Sequence, residues 1–408
     1  MNLPDRSRIY SALWIVLAIT LPWPVAFNSI AIGLLFCGWL AMGDAAARWN
    51  RLIQQPWCIP FFAYFTFYLV AEFSTGFATI SHQLPFLVLP LMLASGPALS
   101  AQTLRRLGDG FVLSVAFMLA LAIVRTIWFP SDVPNFDYPT RSAFHGLYPD
   151  TEGLWSRISY IGLASSVDLH PSYFSLYLTF SSVWLLDSFK TEGVIRWKVG
   201  ILIFMMVGVM LLSSRIGLLS YTVFVAIWMY RLAVRRSVLM AMSTTVLFIL
   251  VVGLLAWSNH LTRFRFKDEP GLPSASRVMN SIDSRLLSWS ASWSAIRQEW
   301  VRGYGVEGAQ VQLNKTYQRQ APDWLPPYPN AHNQFLQTWL EVGVGGIVAL
   351  LFMMGIPLVF RPLTALQISL AGLIILFCVA ESVLTRQKGI VFFCLFQPLL
   401  LSYQKQSS

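Results

Sequence analysis

Charged side chains are scarce in this sequence. Only 12% of its 408 residues are Asp, Glu, Lys or Arg, 56% are hydrophobic, and the mean hydropathy is +0.58. A soluble domain of this length needs far more charge on its surface, whereas a polytopic membrane protein does not. Carboxylates are the scarcer sign, 19 against 29 Lys and Arg, which leaves a net charge of +10. Such an excess suits nucleic acid only when gathered on one module; here it is spread over short loops, and membrane topology accounts for most of it. Cysteine is rare as well. Cys37, Cys58, Cys378 and Cys394 lie in or beside apolar runs, with no disulfide framework and no zinc spacing. Internal repeats and low-complexity tracts are absent, as are the paired Gly/Pro-broken segments of an inverted-repeat transporter.

What the sequence has in abundance is apolar runs. They lie near 9–22, 24–42, 57–74, 84–98, 110–129, 170–187, 197–213, 216–234, 238–257, 335–358, 362–380 and 390–402. Together they predict an all-α polytopic membrane protein of about twelve transmembrane helices. The first run has Arg6 and Arg8 ahead of it, as in a signal peptide, but no small-x-small cleavage site comes after it, so it is expected to be retained. Arg48, Arg51, Arg105, Arg106, Lys190, Lys198, Arg231 and Arg236 fall in alternate short loops, while those near Trp23 and Ser81 hold no cation. The positive-inside rule then puts both termini in the cytoplasm. Residues 1–257 form a bundle of about nine spans with an outer segment at 130–169; 258–334 is a large outer loop; 335–408 adds about three spans.

Two cations break the charge rule. Arg215 and Arg386 sit in short outside turns, where the rule applies, and so are either snorkelling anchors or functional groups. In the outer loop, Leu286, Trp289, Trp293, Ile296 and Trp300 recur at steps of three and four. That spacing predicts an amphipathic helix over Ile282–Trp300, begun by Asn280 or Ser281, whose tryptophans suit a headgroup layer or the roof of a cavity. Arg285 lies at the edge of this stripe, four residues before Trp289; Gly303-Tyr304-Gly305 turns the chain, and Pro322–Pro329 stiffens the approach to His332. Arginine binds phosphate oxygens bidentately and keeps its charge, so Arg215, Arg285 and Arg386 could converge on one diphosphate. No carboxylates cluster to hold a divalent cation, and Asp268-Glu269 beside Lys267 is a poor ligand pair, so a metal-free site without cofactor is expected. His170, Arg141, Arg157 and His82 are weaker candidates for the substrate path, each more simply read as an interfacial polar residue.

The loop closes on Pro329-Asn330-Ala331-His332-Asn333-Gln334-Phe335. Asn330 as N-cap would put His332 in the first helical turn. The partial positive charge of a helix end disfavours an imidazolium, so His332 is expected to stay neutral and able to accept a proton. The plainer alternative is a polar residue marking the membrane interface.

These motifs resemble the O-antigen ligase family of bacterial inner-membrane glycosyltransferases. His332-Asn333 with Gly343 and Gly346 is similar to that family's His-[Asn/Ser/Gln], nine residues, Gly-x-x-[Gly/Thr/Tyr] pattern; Arg215 with Leu219 is similar to its Arg-x-x-x-Leu. Arg285, Trp289, Gly303 and Gly305 resemble its "R-x-x-x-W … G-x-G" region, and the likeness covers roughly 205–350. Relatives often carry Lys or Arg near the outer end of an early span, where this chain has only His82. The resemblance implies a GT-C-like fold with a large helical periplasmic loop and an active site at the periplasmic face of the inner membrane. It also implies metal-independent, inverting transfer of an undecaprenyl-diphosphate-linked O-antigen to lipid A–core. His332, Arg215 and Arg285 would be catalytic, and Arg386, His170, Arg157, Arg141, His82 and Trp289 would bind substrate. An O-antigen polymerase or a protein O-oligosaccharyltransferase would share this chemistry with another acceptor. A non-catalytic transporter of the lipid-linked glycan would want cations near the diphosphate but no poised histidine.

Overall fold

The computed structural model describes residues 3–73, 79–129, 158–259, 262, 282–321, 328–359 and 363–407, all helix, turn or irregular chain with no strand among them. Each of the twelve apolar runs holds a helix. Four helices are long and apolar enough to cross a bilayer: Ala101–Trp128, Arg215–Ala233, Val238–Ser258 and Gln334–Val359. Val25–Ala41 and Ala45–Ile53, bent by 112° across a short break, make a fifth if counted as one broken span. The expected number was larger because it counted apolar runs, and several runs fold into pieces shorter than themselves. Ile59–Glu72 has 14 residues and Pro85–Ser95 has 11, only ~21 and ~17 Å at ~1.5 Å per residue, against a hydrocarbon core of ~30 Å. Pro171–Glu192 is long enough at 22 residues, but Asp187, Lys190 and Glu192 and its many hydroxyls make it too polar.

By packing, the described chain divides into two units. The first comprises Met1–Leu21, Val25–Leu107 and Ile282–Ser408; the second comprises Pro22–Pro24 and Gly108–Ser281. In the second, Pro171–Glu192 is the core helix, with nearly every side chain from Pro171 to Leu186 buried. Several of its buried hydroxyls donate along its own axis, Ser175 to the Pro171 carbonyl at 2.8 Å, Thr179 to that of Ser175 at 2.8 Å and Ser182 to that of Leu178 at 2.9 Å. That is how so polar a helix tolerates burial. Val238–Ser258 is its opposite: it buries only Ala241 and Val252 and presents apolar side chains on its other faces, as lipid contact requires.

In the first unit, Ile59–Glu72 packs along Gln334–Val359 over an aromatic core, with Tyr64 edge-on to Phe86 at 4.8 Å and Phe61 stacked on Phe393 at 5.6 Å. Buried Glu341 accepts from Tyr68 Oη at 2.6 Å and from Gln337 Nε2 at 2.7 Å, so its carboxyl oxygens are both satisfied. Gly343 breaks the helical hydrogen bonding with φ of 70°. The carbonyls of Leu340 and Glu341 accept instead from Tyr304 N and Gly305 N, at 2.9 Å each, and Val344 N donates to the Trp300 carbonyl at 3.0 Å. A Cβ on Gly343 would overlap the Val301 carbonyl, and one on Gly303 would lie 2.7 Å from the Glu341 carbonyl. Only glycine lets the two backbones meet this closely. Through that junction the loop helix carrying Arg285 is pinned to the helix that begins beyond His332.

Candidate functional site

The helix Gln334–Val359 begins after Asn333, not after Asn330. Asn333 Oδ1 accepts from Phe335 N at 2.9 Å and Leu336 N at 3.1 Å, satisfying two N–H groups of the first turn. Asn330 Oδ1 accepts instead from His332 N at 3.0 Å. His332 therefore lies just outside the helix, in left-handed backbone with φ of 45°, and the expectation that Asn330 capped the helix is overturned. Of two nearby amides, the one reaching two unpaired N–H groups makes the cap. Placing His332 inside the first turn, and the neutrality argued from it, loses its geometry.

What faces His332 is a carboxylate. Glu381, at the end of the helix Ala365–Ala380, places Oε2 3.0 Å from His332 Nδ1 and Oε1 2.7 Å from Arg285 Nη2. The Glu381 side chain is 16% exposed, against 30% for Arg285 and 34% for His332, so the acid lies deepest and the other two open outward. A carboxylate only accepts, so in the neutral imidazole it selects the tautomer with the proton on Nδ1 and the lone pair on Nε2. Trp289 Nε1 donates to the His332 carbonyl at 3.4 Å and steadies the same residue from the loop side.

Two glutamines hold the loops that carry these groups. Gln337 Oε1 accepts from Ala331 N at 3.0 Å, and Gln334 Oε1 accepts from Leu384 N at 2.6 Å. The first turns of one helix thus tie down both the segment before His332 and the segment after Glu381. Both amides are buried, and Gln334 Nε2 also donates to Thr338 Oγ1 at 3.0 Å.

The loop helix runs over Ile282–Ile296, ending short of the expected Trp300. Its inward side is not the tryptophan stripe. Ser288, Ala291, Ser292, Ala295 and Ile296 are buried, while Leu286, Trp293 and Trp300 are exposed and Trp289 is half-buried. Small residues win the inward side because they let neighbouring helices approach closely, and the large rings are left at the margin. Trp293 meets Trp339 edge-on at 5.6 Å there.

The structure thus gathers His332, Arg285 and Trp289 from the sequence candidates and adds Glu381, Gln334 and Gln337, which sequence reasoning missed. Glu381 did leave a signal: one of only 19 acids in the chain, placed where an apolar run ends. Arg386 is exposed, and no hydrogen bond among the described residues joins its side chain to this cluster. His82 is exposed in the short helix Ile80–Gln83, also outside the cluster. His170 caps Pro171–Glu192, its Nδ1 accepting from Ser172 N at 3.3 Å. Arg215 opens the helix Arg215–Ala233 behind the Ser214 cap; it and His170 belong to the second unit. Arg141, Arg157, Asn280, Ser281 and the pair Asp268-Glu269 lie outside the described residues.

Comparison with protein families adds one match. Residues 200–351 fit the family model described as O-antigen ligase. The chain carries an O-antigen ligase family domain. The match takes in Arg215, Arg285, Trp289 and His332 with Gly303 and Gly343, whereas Glu381 lies beyond it. Members of the O-antigen ligase family are glycosyltransferase-like enzymes that use lipid-linked sugars, and the apolar helices agree with a membrane protein. Comparison with curated proteins finds no match.

Proposed function

We propose that Arg285, Glu381 and His332 form the reaction centre of an O-antigen ligase. In this reading the protein crosses the inner membrane several times in a GT-C-like fold, with both termini cytoplasmic and the centre periplasmic. It moves a glycan from undecaprenyl diphosphate to lipid A–core with inversion. The observation that carries the reading is the bridging of a guanidinium and an imidazole by one carboxylate. That arrangement supplies a charge for phosphate and an oriented base within a few ångströms of each other.

The acceptor hydroxyl gives its proton to His332 Nε2 as its oxygen bonds to the anomeric carbon. The bond from that carbon to the phosphate oxygen breaks, and its electron pair leaves with the lipid diphosphate. Glu381 steadies the imidazolium that forms, as a carboxylate does behind any histidine base. Arg285 binds the diphosphate and offsets the charge gathering on it. Arg215 enters the proposal only through the sequence pattern Arg-x-x-x-Leu, as a cation that the family resemblance makes catalytic. Water completes the cycle by taking the proton from Nε2.

The deciding experiment combines purified protein, lipid-linked glycan and rough lipopolysaccharide, with and without EDTA. Glycan appearing on lipid A–core in both arms is the expected result. Longer lipid-linked chains in its place would make the protein a polymerase, and loss of product with EDTA would overturn the metal-free reading.

A further inference from the structure

A second site lies in the first unit, well away from the His332 cluster. The helix Val25–Ala41 ends at Gly43 and Asp44, both left-handed, and the chain turns by 112° into Ala45–Ile53. Asp44 caps this short helix through Ala47 N at 3.0 Å. The helix buries none of its residues and exposes Trp49 and Ile53. Its arginines clamp the ends of neighbouring helices. Arg48 lies over the Trp39 ring at 4.5 Å and donates to the Trp39 carbonyl at 3.1 Å, while Arg51 Nε donates to the Ser95 carbonyl at 2.7 Å. A short helix with aromatic and aliphatic side chains outward and arginines beside them is built to lie in a membrane interface.

Below it is a cavity of about 290 Å³, room for roughly ten waters at ~30 Å³ each. Its lining mixes polar and apolar groups. Arg51, Gln54 and Ser402 border it together with Leu93, Leu104 and Leu399. The Ser95 bond uses only one of the five N–H groups of Arg51, so the guanidinium has donors to spare for an anion. Arg105 and Arg106, which follow Leu104 in the chain, are exposed. Leu399 and Ser402 ride on the helix Gln387–Ser407, which starts beside the Glu381 turn. At ~1.5 Å per residue they lie on the order of 20 Å from its start.

We propose that this cavity binds the phosphate of an anionic phospholipid, with the glycerol and upper acyl chain against the leucines. The leaflet is the cytoplasmic one, by the same Lys/Arg distribution that orients the chain. The mixed lining favours a lipid over a free ion, since inorganic phosphate would leave the leucines facing water.

Native mass spectrometry of the full-length protein, released from nanodiscs of mixed phosphatidylglycerol and phosphatidylethanolamine, tests this. The wild type should retain phosphatidylglycerol, and Arg51→Gln should retain it about tenfold less, as expected for loss of a charge-assisted phosphate contact. Arg51 also braces Ser95, so Gln54→Glu serves as the second variant: Gln54 is exposed, and a carboxylate of similar size there repels the headgroup. It should lose the lipid to a similar degree while the melting temperature and glycan transfer stay at wild-type values. Unchanged retention in Gln54→Glu would overturn the proposal, as would displacement of the lipid by millimolar inorganic phosphate. Either failure leaves the Arg285–Glu381–His332 reading standing, because no residue is shared.

Discussion

Glu381 holds two partners of different chemistry, and replacing it separates their roles. Glu381→Gln keeps the size but loses the charge, and its amide group can select the wrong imidazole tautomer. We expect kcat to fall about 10²–10⁴-fold with the donor KM little changed, the signature of an orienting carboxylate. A rise in donor KM alone would make Glu381 a mere brace for Arg285. His332→Gln should lose ~10²–10⁴-fold in turnover while binding of the lipid diphosphate persists, since arginine holds that ligand. Loss of lipid binding together with activity would make His332 a phosphate ligand instead. For Arg215→Ala the expected loss is about 10²–10³-fold; less than tenfold, with expression intact, would remove it from the mechanism. The residue types of this site were legible beforehand: His332 is one of five histidines in the chain, and Arg285 stands at the edge of the loop helix's apolar stripe. Their common partner was not. Glu381 lies 49 residues from His332 and 96 from Arg285, and no local periodicity links positions that far apart.

At the scale of elements, the decisive contact is the docking of Trp300–Gly305 into the break at Gly343. Gly343→Ala must both hold a positive φ and displace the Val301 carbonyl. It should cost at least ~2 kcal/mol and lower the melting temperature by several degrees, with activity falling as Arg285 drifts from Glu381. An unchanged melting temperature would mean that the junction opens freely. Ala291→Leu tests the small-residue side of the loop helix: overpacking there should cost roughly 1–3 kcal/mol. Exposed Leu286→Ala should cost little, the reverse of what an inward Leu–Trp stripe would give. The period of the loop helix was readable from its apolar positions, but the side that turned inward was not. Periodicity reports that large apolar residues share a stripe; it does not report that a neighbouring helix needs small residues to come close.

For the molecule as a whole, the orientation can be checked directly. Arg302→Cys, beside the glycine junction, should be labelled by an impermeant maleimide in intact spheroplasts. Gln54→Cys should be labelled only after permeabilisation, since its short basic loop is assigned to the inside and the long loop of Arg302 to the outside. Equal labelling of both before permeabilisation would overturn the proposed topology. The four native cysteines complicate this little, because Cys58, Cys378 and Cys394 are buried and only Cys37 is exposed.

The amino-acid sequence by itself determined that this chain is helical and apolar, where the helices of its apolar runs would lie, and which scarce polar residues stand out. Those properties arise from composition and short-range spacing, which each segment carries alone. It could not set how many runs are long enough to cross a bilayer, because a run of apolar residues can break at Pro, Gly or a polar turn before the helix is complete. Nor could it pair Glu381 with His332 and Arg285, choose Asn333 over Asn330 as the cap, or set Gly303 against Gly343. Each of those depends on which distant groups arrive within hydrogen-bonding reach, and only the packing of the helices decides that.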